Sequence, residues 1–123
     1  MRFSNSVNIN AASAATNQSG LVIDAAYVST FSAQAVVTGT STGTLNIQAS
    51  NDPSAGLAVA SGGTPIPTHW SNIATIGTVA IAGAGTYLIP KFDVAYRWMR
   101  CSFVATNGAA GTITVNVMTQ GPG

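Results

Sequence analysis

Residues 112–118, Thr-Ile-Thr-Val-Asn-Val-Met, place Ile113, Val115 and Val117 at every second position, with Thr112, Thr114, Asn116 and Met118 between them. A period of two puts alternate side chains on opposite faces of a strand and cannot build the apolar stripe of a helix. The same alternation runs through Phe31, Ala33, Ala35 and Val37, and again through Leu45, Ile47 and Ala49. Four of the apolar runs begin on a Gly-Thr pair, at Gly43-Thr44, Gly77-Thr78, Gly85-Thr86 and Gly111-Thr112. The glycine reads as the φ > 0 position of a turn and the β-branched threonine as the start of a strand. The spacing of these pairs is irregular, so they are turn chemistry and not a solenoid repeat.

These signals predict an all-β fold, an antiparallel two-sheet β-sandwich or jelly roll, with strands near 27–38, 43–50, 70–76, 78–82, 86–90, 95–105 and 111–119. No segment reads as a helix. The apolar phases name a core of Leu45, Ile47, Met99, Cys101, Phe103, Ile113, Val115 and Val117. A chain of 123 residues fits one domain, taken here as residues 20–123. Residues 1–19 are small and polar, with Val7 and Ile9 the sizeable apolar groups beyond Phe3. They read as an extended N-terminal arm ordered against a neighbour by strand addition, with Val7 and Ile9 as anchors; a short first strand around 6–10 is the alternative. Residues 50–68 hold three prolines and a Gly-Gly pair and read as a long loop.

Charge narrows the function. Only 6% of residues are charged, against about 25% in an ordinary soluble domain. They are Arg2, Asp24, Asp52, Lys91, Asp93, Arg97 and Arg100, for a net charge of +1. Four scattered basic residues do not make a phosphate-binding patch, so nucleic acid is not expected as a partner. No apolar run reaches the length of a membrane span. Met1-Arg2-Phe3-Ser4-Asn5 leads into polar residues with no export signal, which predicts synthesis and folding in a host cytoplasm. The surface of Ser, Thr, Asn, Gln, Gly and Ala is that of a protein covered by neighbours, and a homo-oligomer is expected.

Catalytic and metal chemistry find little footing. His69 is the only histidine, and none of the three aspartates lies at a spacing that suggests a partnership with it. Asp52, before Pro53, reads as a loop cap. One His, one Cys and three dispersed Asp give no ligand pairs at zinc spacing. The expectation is no enzyme, no cofactor and no metal. The densest chemistry is Tyr96-Arg97-Trp98-Met99-Arg100-Cys101-Ser102-Phe103. Period two puts Arg97, Met99, Cys101 and Phe103 on one face, with Met99, Cys101 and Phe103 in the core, and Tyr96, Trp98, Arg100 and Ser102 on the other. Trp98 and Arg100 then form either a cation–π pair or part of an exposed aromatic and arginine patch. With Val7, Ile9 and Trp70, the residues Tyr96, Trp98 and Arg100 are the candidate interface. Trp70, Tyr96 or Trp98 would alternatively be a stacking platform for a surface glycan in a carbohydrate-binding or host-adhesion module.

The order Gln34-Ala35-Val36-Val37-Thr38-Gly39-Thr40, Gly43-Thr44-Leu45-Asn46-Ile47-Gln48-Ala49-Ser50-Asn51-Asp52, Trp70-Ser71-Asn72-Ile73, Tyr96-Arg97-Trp98-Met99-Arg100, Asn107-Gly108 and Gly111-Thr112-Ile113 resembles the small β-sandwich virion structural proteins of tailed bacteriophages, of the head decoration or tail surface type. It is similar, more distantly, to discoidin-like galactose-binding sandwiches. The stretch from Asp52 to Trp70 is longer than the short turn of that pattern. The resemblance implies a non-enzymatic virion part, a capsid decoration, capsid or tail component, with other virion proteins as partners.

Overall fold

The computed structural model describes residues 2–53, 58–59 and 65–121. Every regular element among them is a strand: β1 Arg2–Ser13, β2 Gln18–Ser19, β3 Ile23–Asp24, β4 Thr30–Val37, β5 Thr42–Ser50, β6 Ala58–Val59, β7 Pro65–Ile66, β8 Ser71–Asn72, β9 Thr78–Ala82, β10 Gly85–Asp93, β11 Trp98–Ala105 and β12 Thr112–Gly121. Two antiparallel sheets face each other. The first runs β1-β12-β4-β10; in the second, β11 and β5 are central, with β2 and β3 along one edge and β8 and β9 along the other. β6 and β7 form a separate two-stranded ribbon inside the stretch expected as a loop.

The inner faces follow the alternation read from the sequence. Ile113, Val115 and Val117 of β12, Phe31, Ala33, Ala35 and Val37 of β4, and Ile89 and Phe92 of β10 oppose Leu45 and Ile47 of β5 and Met99, Cys101 and Phe103 of β11. All eight core residues expected from periodicity are at most 1% exposed. Burying each large side chain among them contributes about 1.5–3 kcal/mol, so this interior is the main support of the fold.

Several expectations are corrected. Residues 2–13 are not an arm. They form β1, hydrogen-bonded along β12 of the same chain from Arg2↔Gly121 to Ser13↔Thr112. Backbone pairing holds this segment where side-chain burial is scarce, and two register shifts, after Val7 and after Ile9, turn Asn8 and Ile9 into the core. The strand expected over 70–76 is only Ser71–Asn72. Residues 73–77 make a turn in which Gly77 N–H donates to Ile73 O at 3.2 Å and Thr75 takes a left-handed φ of 67°. The strand expected from 95 begins at Trp98, because Arg97 N–H is drawn to Asn51 Oδ1 at 2.9 Å and its carbonyl accepts from Ala25 N–H. Of the four Gly-Thr glycines, Gly85 takes the expected positive φ, at 155°, whereas Gly43 and Gly111 serve a different purpose. At Gly43 an added Cβ would lie 2.3 Å from Val104 O, and at Gly111 one would lie 2.1 Å from Thr38 O. Close approach of a neighbouring strand, not a positive φ, excludes a side chain at both.

Candidate functional site

Two surfaces carry the chemistry, one on each sheet. On the outer face of the first sheet, strand register lines side chains into rows: Val7, Asn116, Gln34 and Leu88 in one, Asn5, Met118 and Ser32 in the next, and Thr114, Val36 and Thr86 in a third. No residue of these rows is charged. Four of the exposed large apolar side chains of the protein stand here: Val7 at 42%, Val36 at 42%, Leu88 at 61% and Met118 at 38%. They surround the amides of Asn5, Gln34 and Asn116, and a shallow groove of about 280 Å³ lies between Leu88 and Met118. At the β10 margin the apolar character ends in a bulge at Pro90 and Lys91.

The second surface lies where β5 and β11 meet the loops 51–53, 67–70 and 94–97. Arginine and tryptophan pair twice. The Arg97 guanidinium sits 4.0 Å over the Trp98 ring and bonds to Asp24, and that of Arg100 sits 4.3 Å over Trp70. Arg100 Nε–H also donates to Gln48 Oε1 at 2.8 Å, whose amide donates to Asn72 Oδ1 at 3.0 Å. Partial burial lowers the Arg100 pKa from its ordinary value, by desolvation of the charged form. Both indole N–H groups are used, Trp98 Nε1 on Asp52 O and Trp70 Nε1 on Pro67 O, each at 3.1 Å.

The candidate interface residues therefore fall into separate places. Val7 is exposed on the first sheet's outer face, whereas Ile9, at 4% exposure, belongs to the protein's own core. Trp98 points away from the core as the alternation requires, yet at 7% exposure it is covered and offers no platform. Its stacking partner is Arg97, and Arg100 stacks on Trp70, where a Trp98–Arg100 pair was expected. Arg97 precedes β11 and lies outside its alternation. Trp70, Tyr96 and Arg100 are half-buried.

A partnership that spacing did not reveal is Asp52 with His69. The carboxylate accepts from Thr68 N–H at 2.8 Å, from His69 N–H at 3.1 Å and from His69 Nδ1 at 3.1 Å. The two backbone donors, with the His69 ring, hold its pKa below the ordinary 3.8. Asp52 thus caps the loop, as its place before Pro53 suggested, and it also orients the only histidine. With Nδ1–H directed at the carboxylate, His69 presents Nε2 to solvent as an acceptor. The 85% exposure of that side chain leaves it a hydrogen-bonding edge in water. Beside it opens a pocket of about 410 Å³ bounded by Ser50, Asn51, His69, Ser71, Asn72 and Tyr96 on its polar side and by Ala49, Ile73 and Ala74 on its apolar side. Among the described residues no three of His, Cys, Asp and Glu converge.

No protein-family model matches the chain, and no curated protein matches it. Solved structures do. The PBSX exported protein XepA overlays at a TM-score of 0.70 with 18% identity, over 98% of this chain and 38% of XepA. This protein spans well under half of that relative's length. A protein of the Bacillus endospore appendages, described as a novel family of disulfide-linked pili, overlays at 0.50 with 16% identity, over 99% of this chain and 88% of the other. The SPBc2 prophage-derived protein YomS overlays at 0.48 with 13% identity. At such identities the likeness is one of fold. The protein is a two-sheet antiparallel β-sandwich.

Proposed function

We propose that the protein is a non-enzymatic structural component of a virion, a decoration, capsid or tail part present in many copies, and that it works by protein–protein assembly. The observation that carries this reading is the set of three uncharged rows on the outer face of the β1-β12-β4-β10 sheet, bounded on β10 by Lys91 and by Asp93 opposite Thr30. Four strands about 4.8 Å apart, each running about 25–30 Å, give a face of roughly 500 Å² in projection. Two such faces would bury on the order of 1,000 Å², the lower threshold of a specific interface. Multiplicity on a particle adds avidity to a contact of that size. With no charge in these three rows, they can meet the same rows of a second copy without like-charge repulsion, Asp93 and Lys91 lying at the margin. Single exposed apolar residues are ordinary, but four gathered in and beside three uncharged rows support a contact surface. The resemblance to phage virion sandwiches supports the virion as the setting, and the fold shared with an appendage protein described as forming pili supports assembly. Those pili are disulfide-linked; here the single thiol, Cys101, is fully buried, so self-association rests on non-covalent contact.

Concentration-dependent self-association, measured by sedimentation or multi-angle light scattering, tests the face. Leu88→Asp with Met118→Asp is expected to weaken association by at least tenfold, while Ile76→Asp, at an equally exposed apolar residue off this face, leaves it unchanged. Equal association of all three proteins would remove the assembly surface. Mass spectrometry of purified particles tests the setting: absence of the chain from them would remove the virion reading.

A further inference from the structure

The pocket beside His69 is on the other sheet from the proposed assembly face and plays no part in it. We infer that it is a binding site for a neutral, hydroxyl-rich ligand, a saccharide unit of a surface glycan. Its volume, about 410 Å³, lies within the range of small-molecule sites. The case rests on which hydrogen-bonding atoms remain available after the protein has satisfied itself.

Asn51 uses Oδ1 on Arg97 N–H, so its amide N–H₂ is left to donate into the pocket. Asn72 uses Oδ1 on the Gln48 amide, which leaves its own N–H₂ in the same way. His69, with Nδ1 directed to Asp52, supplies Nε2 as an acceptor. The Ser71 hydroxyl can both donate and accept. One cavity is thus lined by both donors and acceptors, which is what hydroxyl groups need, each being donor and acceptor at once. The Tyr96 side chain, half-buried against the core, adds an aromatic wall.

Charge excludes the competing ligand classes. Among the described residues, no Lys, Arg, Asp or Glu lines the pocket. The nearby charges are engaged: Asp52 by three donors, Arg100 by Gln48 and Trp70, Arg97 by Asp24 and Trp98. A phosphate or carboxylate ligand would find no cation directed at it, and a cationic ligand no free carboxylate. The polar groups are also held in place before any ligand arrives. Asn51, Asn72 and His69 are each fixed by a bond to a neighbour, so binding would spend little on ordering them.

The test uses the full chain, a panel of neutral mono- and disaccharides at millimolar concentration, and sialic acid and inorganic phosphate as charged comparators. Saturable shifts of the His69 and Tyr96 ring resonances with at least one neutral sugar are expected, with none from the comparators. Asn72→Ala, at an exposed side chain, is expected to keep the fold and weaken binding about tenfold, the scale of one lost hydrogen bond. Tyr96→Ala should abolish binding and Tyr96→Phe restore it, with the amide spectrum of Tyr96→Ala still that of the folded protein. No saturable shift from any neutral sugar, equal binding of a charged comparator, or binding that survives both Asn72→Ala and Tyr96→Ala would each overturn the inference. Association measured on the same variants is unaffected under the assembly reading, so the two fail separately.

Discussion

Replacing Asn8 with Ala removes one side chain that ties the two sheets together. Asn8 lies at the first register shift of β1 and is only 5% exposed. Its Oδ1 accepts from Cys101 N–H at 2.9 Å and its Nδ2 donates to Leu21 O at 2.8 Å. On this edge β11 pairs with β2 at Ser102–Phe103 and with β3 at Trp98–Met99. In the gap Cys101 O takes Gly20 N–H, and Cys101 N–H takes the Asn8 side chain. Truncation leaves the Cys101 amide buried and unsatisfied, at a cost of about 1–3 kcal/mol. The Leu21 carbonyl is only partly buried and recovers water, so its lost bond costs nearer ~1 kcal/mol. The sum is about 2–4 kcal/mol, which for a domain of this size lowers Tm by roughly 10 °C. Thermal and urea unfolding measure it, and hydrogen exchange at the Cys101 amide should accelerate. Gly20 sharpens the test. A Cβ there would sit 1.8 Å from Asn8 Oδ1, so Gly20→Ala alone is strongly destabilising. In the Asn8→Ala background the side-chain clash is gone and only the close approach to the residue-8 carbonyl oxygen, at 3.0 Å, remains, so the double variant should lose clearly less than the sum of the singles. Additive losses, or a cost below about 1 kcal/mol for Asn8→Ala, would falsify the bridging role.

Phe103, fully buried between the sheets, should cost about 3–5 kcal/mol on truncation to Ala, read from urea midpoints at constant m-value. Burial raises the Cys101 pKa to about 12, so a thiol reagent at pH 8 should label it no faster than the protein unfolds; rapid labelling of the native state contradicts the core assignment. Asp52 has a lowered folded-state pKa, so its contribution to stability is present above its ordinary value of 3.8 and is lost as pH falls through the folded value. The amide shifts of Thr68 and His69 should move through that acid range, and Asp52→Asn should flatten the response.

Alternation alone made the two-sheet fold and its eight-residue core legible, because a period of two states which face of a strand is dry without any knowledge of its partner. That Asp52 caps a loop was legible from its place before Pro53, but not which amides it caps, since Thr68 and His69 lie 16 and 17 positions away. Partner identity was not. Asn8 meets Cys101 across 93 positions, and Asp52 meets His69 across 17, separations at which spacing carries no signal. The outward phase of Trp98 was correct, but its exposure depended on the adjacent Arg97 folding its guanidinium over the ring and on the Asp52 carbonyl arriving from another segment. The first segment shows the same division. Its few apolar side chains suggested a chain without a core of its own, yet β1 is held by backbone bonds to β12, and backbone donors and acceptors are the same whatever the side chains. Local periodicity thus determined which residues face inward, while tertiary pairing decided which exposed groups remain free, since a side chain is available only after every distant neighbour has taken its share.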